Sequence, residues 1–348
     1  MKFAGPMTVG LAVTAGIGLA VSAMTSPAVA QWEPERPLDF VIQTSPGGGS
    51  DIYTRIWLGI IDKYKLSPVP LTPVNMPGGA GAVALTYLHS LDGDPHALTP
   101  TLNSIITTPL QQRIPVMYPS RDLTPVAMMT TDPFLLWVNP ASFSSWEDFH
   151  TACQERRLTA NGTGARQEDE IQIGLLERAA GCMPFRYVPQ SGGGTVATNV
   201  AGGHADFSVN QPAEAAPHYP DNMIPIVMFS RDRHPTYADT PTHWELEIGT
   251  DGDGQYAKLL DLETGLHQVR GLVGPPNMSD EAKAWYDNVF RQVFEAPEWQ
   301  EFMQTNGMVP TYKGPDGYKE FLVEFERNHV RMMRDEFGWE LRPDLEDN

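Results

Sequence analysis

The segment 39–64 constrains the fold more than any other. A short apolar run, 39–44, meets the turn Ser45-Pro-Gly-Gly-Gly-Ser50, and a segment follows with Ile52, Ile56, Trp57, Ile60 and Ile61 spaced along one helical face. A strand that passes through a glycine-rich turn into a helix is the repeating unit of α/β folds. The pattern recurs, predicting further strands at 69–74, 98–103, 134–138, 185–188, 206–210 and 224–229. The helix after the first turn is predicted over 51–64. The tail, 279–336, is predicted to be mostly helical, with Ser279 and Ser145 as N-caps before acidic first turns.

At 348 residues and 41% hydrophobic, the chain can build two domains without a metal or a dense disulfide framework. Its 24 Lys and Arg against 43 Asp and Glu give a net charge of -19. Phosphate backbones and anionic lipid surfaces are bound by clustered cations, so nucleic acid is excluded as a partner. A small anionic ligand would have to be attracted locally, against the field of the whole protein.

The first thirty residues read as a secretory signal peptide. Lys2 supplies a basic start, 9–21 is apolar, and Ala28-Val29-Ala30 fits a small-x-small cleavage site before Gln31. The apolar run falls short of the roughly 20 residues of a spanning helix, and nothing later is long and apolar enough. No Cys adjoins the cleavage site to carry a lipid anchor. Removing Lys2 takes the net charge from -19 to -20. Export puts Cys153 and Cys182, the only cysteines, in an oxidising compartment, where they are expected to pair. The alternative is two buried free thiols.

Four polar, glycine-containing turns stand where strands hand over to helices. They are Ser45-Pro-Gly-Gly-Gly-Ser-Asp51, Asn75-Met-Pro-Gly-Gly-Ala-Gly81, Asn161-Gly-Thr-Gly164 and Gln190-Ser-Gly-Gly-Gly-Thr195. Such a turn presents main-chain N–H groups at the positive end of a helix dipole, a site for an anion that needs no Lys or Arg. The alternative for each is a turn that only reverses the chain.

Other motifs point away from catalysis and cofactors. The Ser45 turn has Ser50 and Asp51 where an ATP-binding loop needs Lys. Gly79-Ala-Gly81-Ala-Val-Ala84 fits a dinucleotide fingerprint, but Pro73 and Pro77 interrupt the strand before it. No G-x-S-x-G or H-E-x-x-H occurs, and the nine His are scattered without metal-ligand spacing. Asp251-Gly-Asp253-Gly begins like a calcium loop, yet Tyr256 and Leu262 occupy the positions that need Gly and Glu. No cofactor and no metal are expected.

These residues resemble a known family. Pro37-Leu-Asp-Phe-Val-Ile-Gln-Thr-Ser-Pro-Gly-Gly-Gly-Ser-Asp51, Asn75-Met-Pro-Gly-Gly-Ala-Gly81, Val188-Pro-Gln-Ser-Gly-Gly-Gly194, Gly202-Gly-His-Ala-Asp-Phe207 and Gly307-Met-Val-Pro310 are similar in order and spacing to the motifs of the tripartite tricarboxylate transporter substrate-binding proteins. The resemblance spans nearly all of the chain after residue 30.

The resemblance implies a non-enzymatic, monomeric periplasmic receptor of the two-lobed type II solute-binding fold, an α/β architecture with two crossing hinge strands. Lobe 1 would comprise 31–127 and 231–348, and lobe 2 128–230. A small organic carboxylate would lie between them, for delivery to a large and a small membrane subunit. Carried onto this chain, the first ligand loop is Ser45, Gly47, Gly48, Gly49, Ser50 and Asp51. The second is Asn161, Gly162, Thr163, Gly164 and Ala165, and Asn103, Ser104 and Asn210 face the same space.

Two departures leave the acid open. The family's second loop commonly continues to a His, whereas Ala165-Arg166-Gln167-Glu168 follow here, and Gln190 stands where Tyr is usual. Arg166 is a candidate partner for a second carboxylate, or a solvated side chain. The strands near 127–131 and 226–229 would be the hinge, with ligand shifting an open-closed equilibrium. Two other readings stand beside the transport receptor: a sensor subunit presenting a bound acid to a signalling partner, and an exported enzyme recruiting Asp51 or Glu168.

Overall fold

The computed structural model describes residues 32–261 and 267–346, together with Gly5. The expected signal peptide, 1–30, lies outside the described residues apart from Gly5.

The opening strand and helix form as β1 (Leu38–Ile42) and α1 (Gly49–Tyr64). α1 starts two residues earlier than expected because Gly48, in extended conformation, is its N-cap. Ser50 is therefore inside the first turn, and its hydroxyl has no hydrogen-bond partner. The buried face is turned toward Tyr53, Trp57, Ile60 and Ile61, leaving Ile52 and Ile56 half-buried. Tyr53 and Trp57 both meet Trp299 edge-on, and this aromatic packing turns Tyr53 inward in place of Ile52 and Ile56.

β1 pairs in parallel with β2 (Leu71–Asn75) and β3 (Ala97–Thr101). β10 (Gln268–Gly274) runs antiparallel to both β3 and β4 (Thr124–Asp132), and β11 (Val309–Lys313) closes the edge against β4. The six-stranded order is β11-β4-β10-β3-β1-β2. The second sheet holds β5 (Leu135–Val138), β6 (Thr159–Thr163), β7 (Arg186–Gln190), β8 (Phe207–Asn210) and β9 (Ile224–Met228) in the order β7-β6-β8-β5-β9. β6 is parallel to β7 and β8, whereas β5 is antiparallel to β8 and β9. Each sheet founds one lobe of a two-lobed α/β fold, and the chain first passes between them at Pro133, after β4.

Helices cover the sheets. They are α2 (Ala82–His89), α3 (Ser104–Gln111), α4 (Pro119–Asp122), α5 (Trp146–Glu155), α6 (Glu168–Ala180), α7 (Gly193–Ala201), α8 (Pro212–Ala215), α9 (Gln255–Leu260), α10 (Asp280–Glu295), α11 (Pro297–Thr305) and α12 (Pro315–Arg331). Ser145 and Ser279 cap as expected, accepting from Asp148 N and Ala282 N at 3.2 Å each. The tail is helical except at β11, where the Gly307 turn and Pro310 break the helix and Val309, Thr311 and Tyr312 suit a strand.

All nine residues of β4 are buried, as a strand with helices on both faces requires. One apolar core runs from Leu85 and Ile105 in the first lobe to Leu136, Phe149 and Phe207 in the second, and so spans the crossover. Fully burying each such large side chain contributes about 1.5–3 kcal/mol. The expected Cys153–Cys182 disulfide is formed, with the Cα atoms 5.1 Å apart. Gly181, left-handed at the end of α6, turns Cys182 back toward α5.

Candidate functional site

Parallel strands leave their loops at their carboxyl ends, and at that edge the two sheets share a cleft of 330 Å³. Gln43, Thr44 and Ser45 follow β1, residues 77–81 follow β2, and Leu102 and Ser104 follow β3. Thr163 at the end of β6 and Gly164, Gln167 and Glu168 beyond it line the opposite wall, with Gln190 at the end of β7 and Ser191 after it. The wall carries no Lys, Arg or His.

Of the residues expected from sequence, Ser45, Ser104, Thr163 and Gly164 line this cleft. Asn103 instead staples β3 to β10: its Nδ2 donates to His267 O at 2.8 Å and its Oδ1 accepts from Val269 N at 3.1 Å. Asn161 Nδ2 donates to Val188 O at 3.3 Å, tying β6 to β7. Gly162 packs where a Cβ would come within 2.6 Å of the Tyr187 hydroxyl and 2.7 Å of Asp169, so the position excludes any side chain. Asn210 Nδ2 donates to Gly193 O at 3.2 Å, and Ala165 is exposed.

Several amides in and beside the two expected ligand loops are engaged by the chain's own carboxylates. Gly47 N–H donates to Asp51 Oδ2 at 3.0 Å, and Gly49 N–H donates to Glu214 Oε1 at 2.9 Å. In the second loop Thr163 N–H donates to Asp169 Oδ2 at 2.7 Å, and just beyond it Arg166 N–H donates to Glu170. The Asp51 carboxylate also accepts from Asn75 Nδ2 and Arg55 Nε, each at 3.0 Å. Burial acts to raise its pKa, but Arg55, the Gly47 N–H and Asn75 outweigh that and hold it below the ordinary value.

Beneath the first loop lies a buried ionic floor. Arg270 Nη2 donates to Asp132 Oδ2 at 2.8 Å, and its guanidinium stacks 4.3 Å from the centre of the Tyr53 ring. The Tyr53 hydroxyl donates to the same carboxylate. Burial disfavours the Arg270 charge, yet Tyr53, Asp132 and Glu214 around it raise its pKa, so it stays protonated. Glu214 is pushed up to about 7 by burial, opposed by Arg270 and the Gly49 N–H. A Cβ at Gly49 would sit 2.9 Å from Arg270 Nη2, which makes glycine the residue that fits between helix and guanidinium.

The Asn75 turn, one of the four glycine-containing turns expected to suit an anion, contributes residues 77–81 to the cleft wall. Here Gly78, Gly79, Ala80 and Gly81 all have positive φ, at 143°, 56°, 55° and 96°. Thr108 Oγ1 donates to Ala80 O at 2.6 Å and Gln112 Nε2 to Gly79 O at 3.1 Å, fixing the turn on α3. The dinucleotide-like pattern is thus a tight turn in the cleft wall. Gln43, Gln167 and Glu214 carried no recognisable signal, because single polar residues at strand and helix ends are common. Arg166 is exposed, and its guanidinium lies 5.9 Å from the centre of the Trp339 ring, outside the cleft wall. Among the described residues no group of His, Cys, Asp or Glu is placed to hold a metal, and no helix is long and apolar enough to cross a membrane.

The model of a family described as "Tripartite tricarboxylate transporter family receptor" matches residues 70–336. The "UPF0065 protein in gbd 5'region" of Cupriavidus necator is 23% identical over 317 residues, 90% of each chain. Among solved structures, MatC from Rhodopseudomonas palustris with bound malate has a TM-score of 0.72 at 20% identity, covering 85% of this chain and 98% of that one. Rpa4515 of R. palustris with adipate has a TM-score of 0.74 at 18% identity, covering 88% and 98%.

Proposed function

Because the chain belongs to the tripartite tricarboxylate transporter family of receptors, we propose that it is a periplasmic receptor that captures a small organic carboxylate between its lobes for a large and a small membrane subunit. The observation that carries this reading is the cleft itself, formed by loops at the carboxyl ends of strands from two different sheets. The Ser45, Ser104 and Thr163 hydroxyls and the 78–81 turn are the donors we assign to a ligand carboxylate, with Ser50 and Gly49 behind them. The malate and adipate in the solved structures of similar fold support the ligand class.

Closure of the lobes is the mechanism we assign. Bonds that join the two lobes across the cleft support it: Gly49 to Glu214, Gln111 Nε2 to Arg166 O at 2.9 Å, and Gln268 Nε2 to Glu168 Oε1 at 3.1 Å. A ligand touching both walls binds this form better than an open one, and that difference in affinity shifts the equilibrium. The receptor would release its acid unchanged. Native mass spectrometry of the purified protein, followed by extraction and identification of what it retains, tests the reading. A retained or titratable carboxylate recovered intact supports it, and a chemically altered product overturns it in favour of an enzyme.

A further inference from the structure

We propose that Glu168 and Gln43 form the acceptor end of the cleft and that the acid bound there also carries a protonated nitrogen. The inference rests on the carboxylate-receptor reading and narrows its ligand.

Glu168 enters the cleft from the first turn of α6 and is only 5% exposed. Its Oε1 accepts from Gln268 Nε2, while Oε2 has no hydrogen-bond partner. Gln43 lines the same cleft from the residue after β1, 4% exposed. Its Nε2 donates to Pro100 O at 3.3 Å, which fixes the amide orientation and leaves Oε1 without a partner. Gly81 makes room for that oxygen, which would lie 2.7 Å from a Cβ there. The side-chain atoms left unsatisfied at these two positions are both acceptors.

A buried carboxylate oxygen without a donor is unfavourable, and a ligand that supplies one relieves it. Among the described residues the one cation acting on Glu168 is Arg270, through space and without a hydrogen bond to it. The wall carries none, and the buried Arg270 is bonded to Asp132. The neighbourhood also holds an excess of acid, with Asp169 next in sequence and Glu214 near Arg270 all buried. Burial, opposed by its own N–H, Gln268 and Arg270, raises the Glu168 pKa, and burial together with the charge of Glu168 raises that of Asp169, so a cation beside them is what would favour their ionised forms. An ammonium, with three donors and a positive charge, supplies the kind of partner that both Glu168 Oε2 and Gln43 Oε1 lack. An acid without such a group leaves both oxygens unpaired in the closed cleft.

The test uses matched acids that differ by one amino group: succinate and L-aspartate, adipate and 2-aminoadipate, 3-phenylpropanoate and L-phenylalanine. Each is titrated calorimetrically into the full-length mature protein and into Glu168→Gln and Gln43→Leu. In at least one pair the amino acid is expected to bind about tenfold or more tightly, the scale of one charge-assisted hydrogen bond. Either variant should reduce that advantage to within about threefold, so a misfolded Glu168→Gln leaves Gln43→Leu and the wild-type comparison to decide. An amino-free acid that binds as well as or better than its partner in every pair overturns the inference and leaves the receptor reading standing. So does an advantage that both variants preserve. Binding by no member of any pair removes the carboxylate reading, and the inference falls with it.

Discussion

Gly49 N–H donates to Glu214 Oε1 at 2.9 Å, joining the first turn of α1 in one lobe to the short helix α8 in the other. The acid thus occupies the positive end of a 16-residue helix, where an anion is stabilised by the helix dipole. Arg270 from β10 lies beneath it, with Asp132 on β4, Tyr53 on α1 and Glu168 on α6 as the other charged or titratable groups acting on it or on its partner. Glu214 is the protein's own anion at a loop expected to greet a ligand.

The Glu214 pKa of about 7 fixes a sign. The folded state holds this proton more tightly than the unfolded chain, whose Glu titrates near pH 4.3. Below that pH both states are protonated and burial of the side chain carries no charge penalty. As pH rises toward 7 the unfolded state ionises first, and a destabilisation of up to about 3 kcal/mol develops and then levels off. Glu214→Gln keeps an acceptor for Gly49 and removes the ionisation. Its melting temperature should exceed the wild type's at pH 8 and converge on it near pH 4. Parallel melting curves across that range would refute the assignment.

Gly193 opens α7 so close to Glu214 that a Cβ there would lie 2.1 Å from the carboxylate. Gly193→Ala should therefore expel Glu214 from the Gly49 amide and destabilise the protein by about 1–3 kcal/mol. In a Glu214→Ala background the same change should be nearly neutral, because the obstacle has gone. Chemical denaturation of the four proteins measures the coupling, and additive losses would show that the clash lies elsewhere.

Arg270→Met removes the cation that compensates Asp132 in an interior where neither group meets water. The expected loss is about 3–5 kcal/mol, since an unpaired buried carboxylate remains. Arg270→Met with Asp132→Leu should recover most of it. Urea midpoints decide, and a single variant as stable as the wild type would contradict the buried pair.

The Cys153–Cys182 bridge joins the end of α5 to the segment after α6 across 29 residues. Replacing both with Ser should lower stability by about 3–4 kcal/mol through the freed loop of the unfolded chain. The cleft is formed by other segments, so ligand affinity should stay within about twofold at a temperature where the variant remains folded. A large loss of affinity with unchanged stability would put the bridge in the site.

The α/β alternation, the turns at the strand ends, the serine caps, the disulfide and the family are all legible in the linear order of the residues. Each rests on residues within a few positions of one another, or on motif order, so no distant contact is needed to read them. β10 and β11 were not legible. β10 follows a segment without clear periodicity, and β11 is a short strand with Pro310 inside it, held by pairing with β4. Which polar groups meet emerges from contacts between distant segments. Asn103 and Asn161 became staples between strands, while Gln43 after β1 and Glu168 at the start of α6, unremarkable alone, meet in one cleft. Spacing along a chain specifies local backbone geometry, whereas the charge and hydrogen-bond balance of a cleft depends on segments more than a hundred residues apart. That balance is set when the two sheets close on each other.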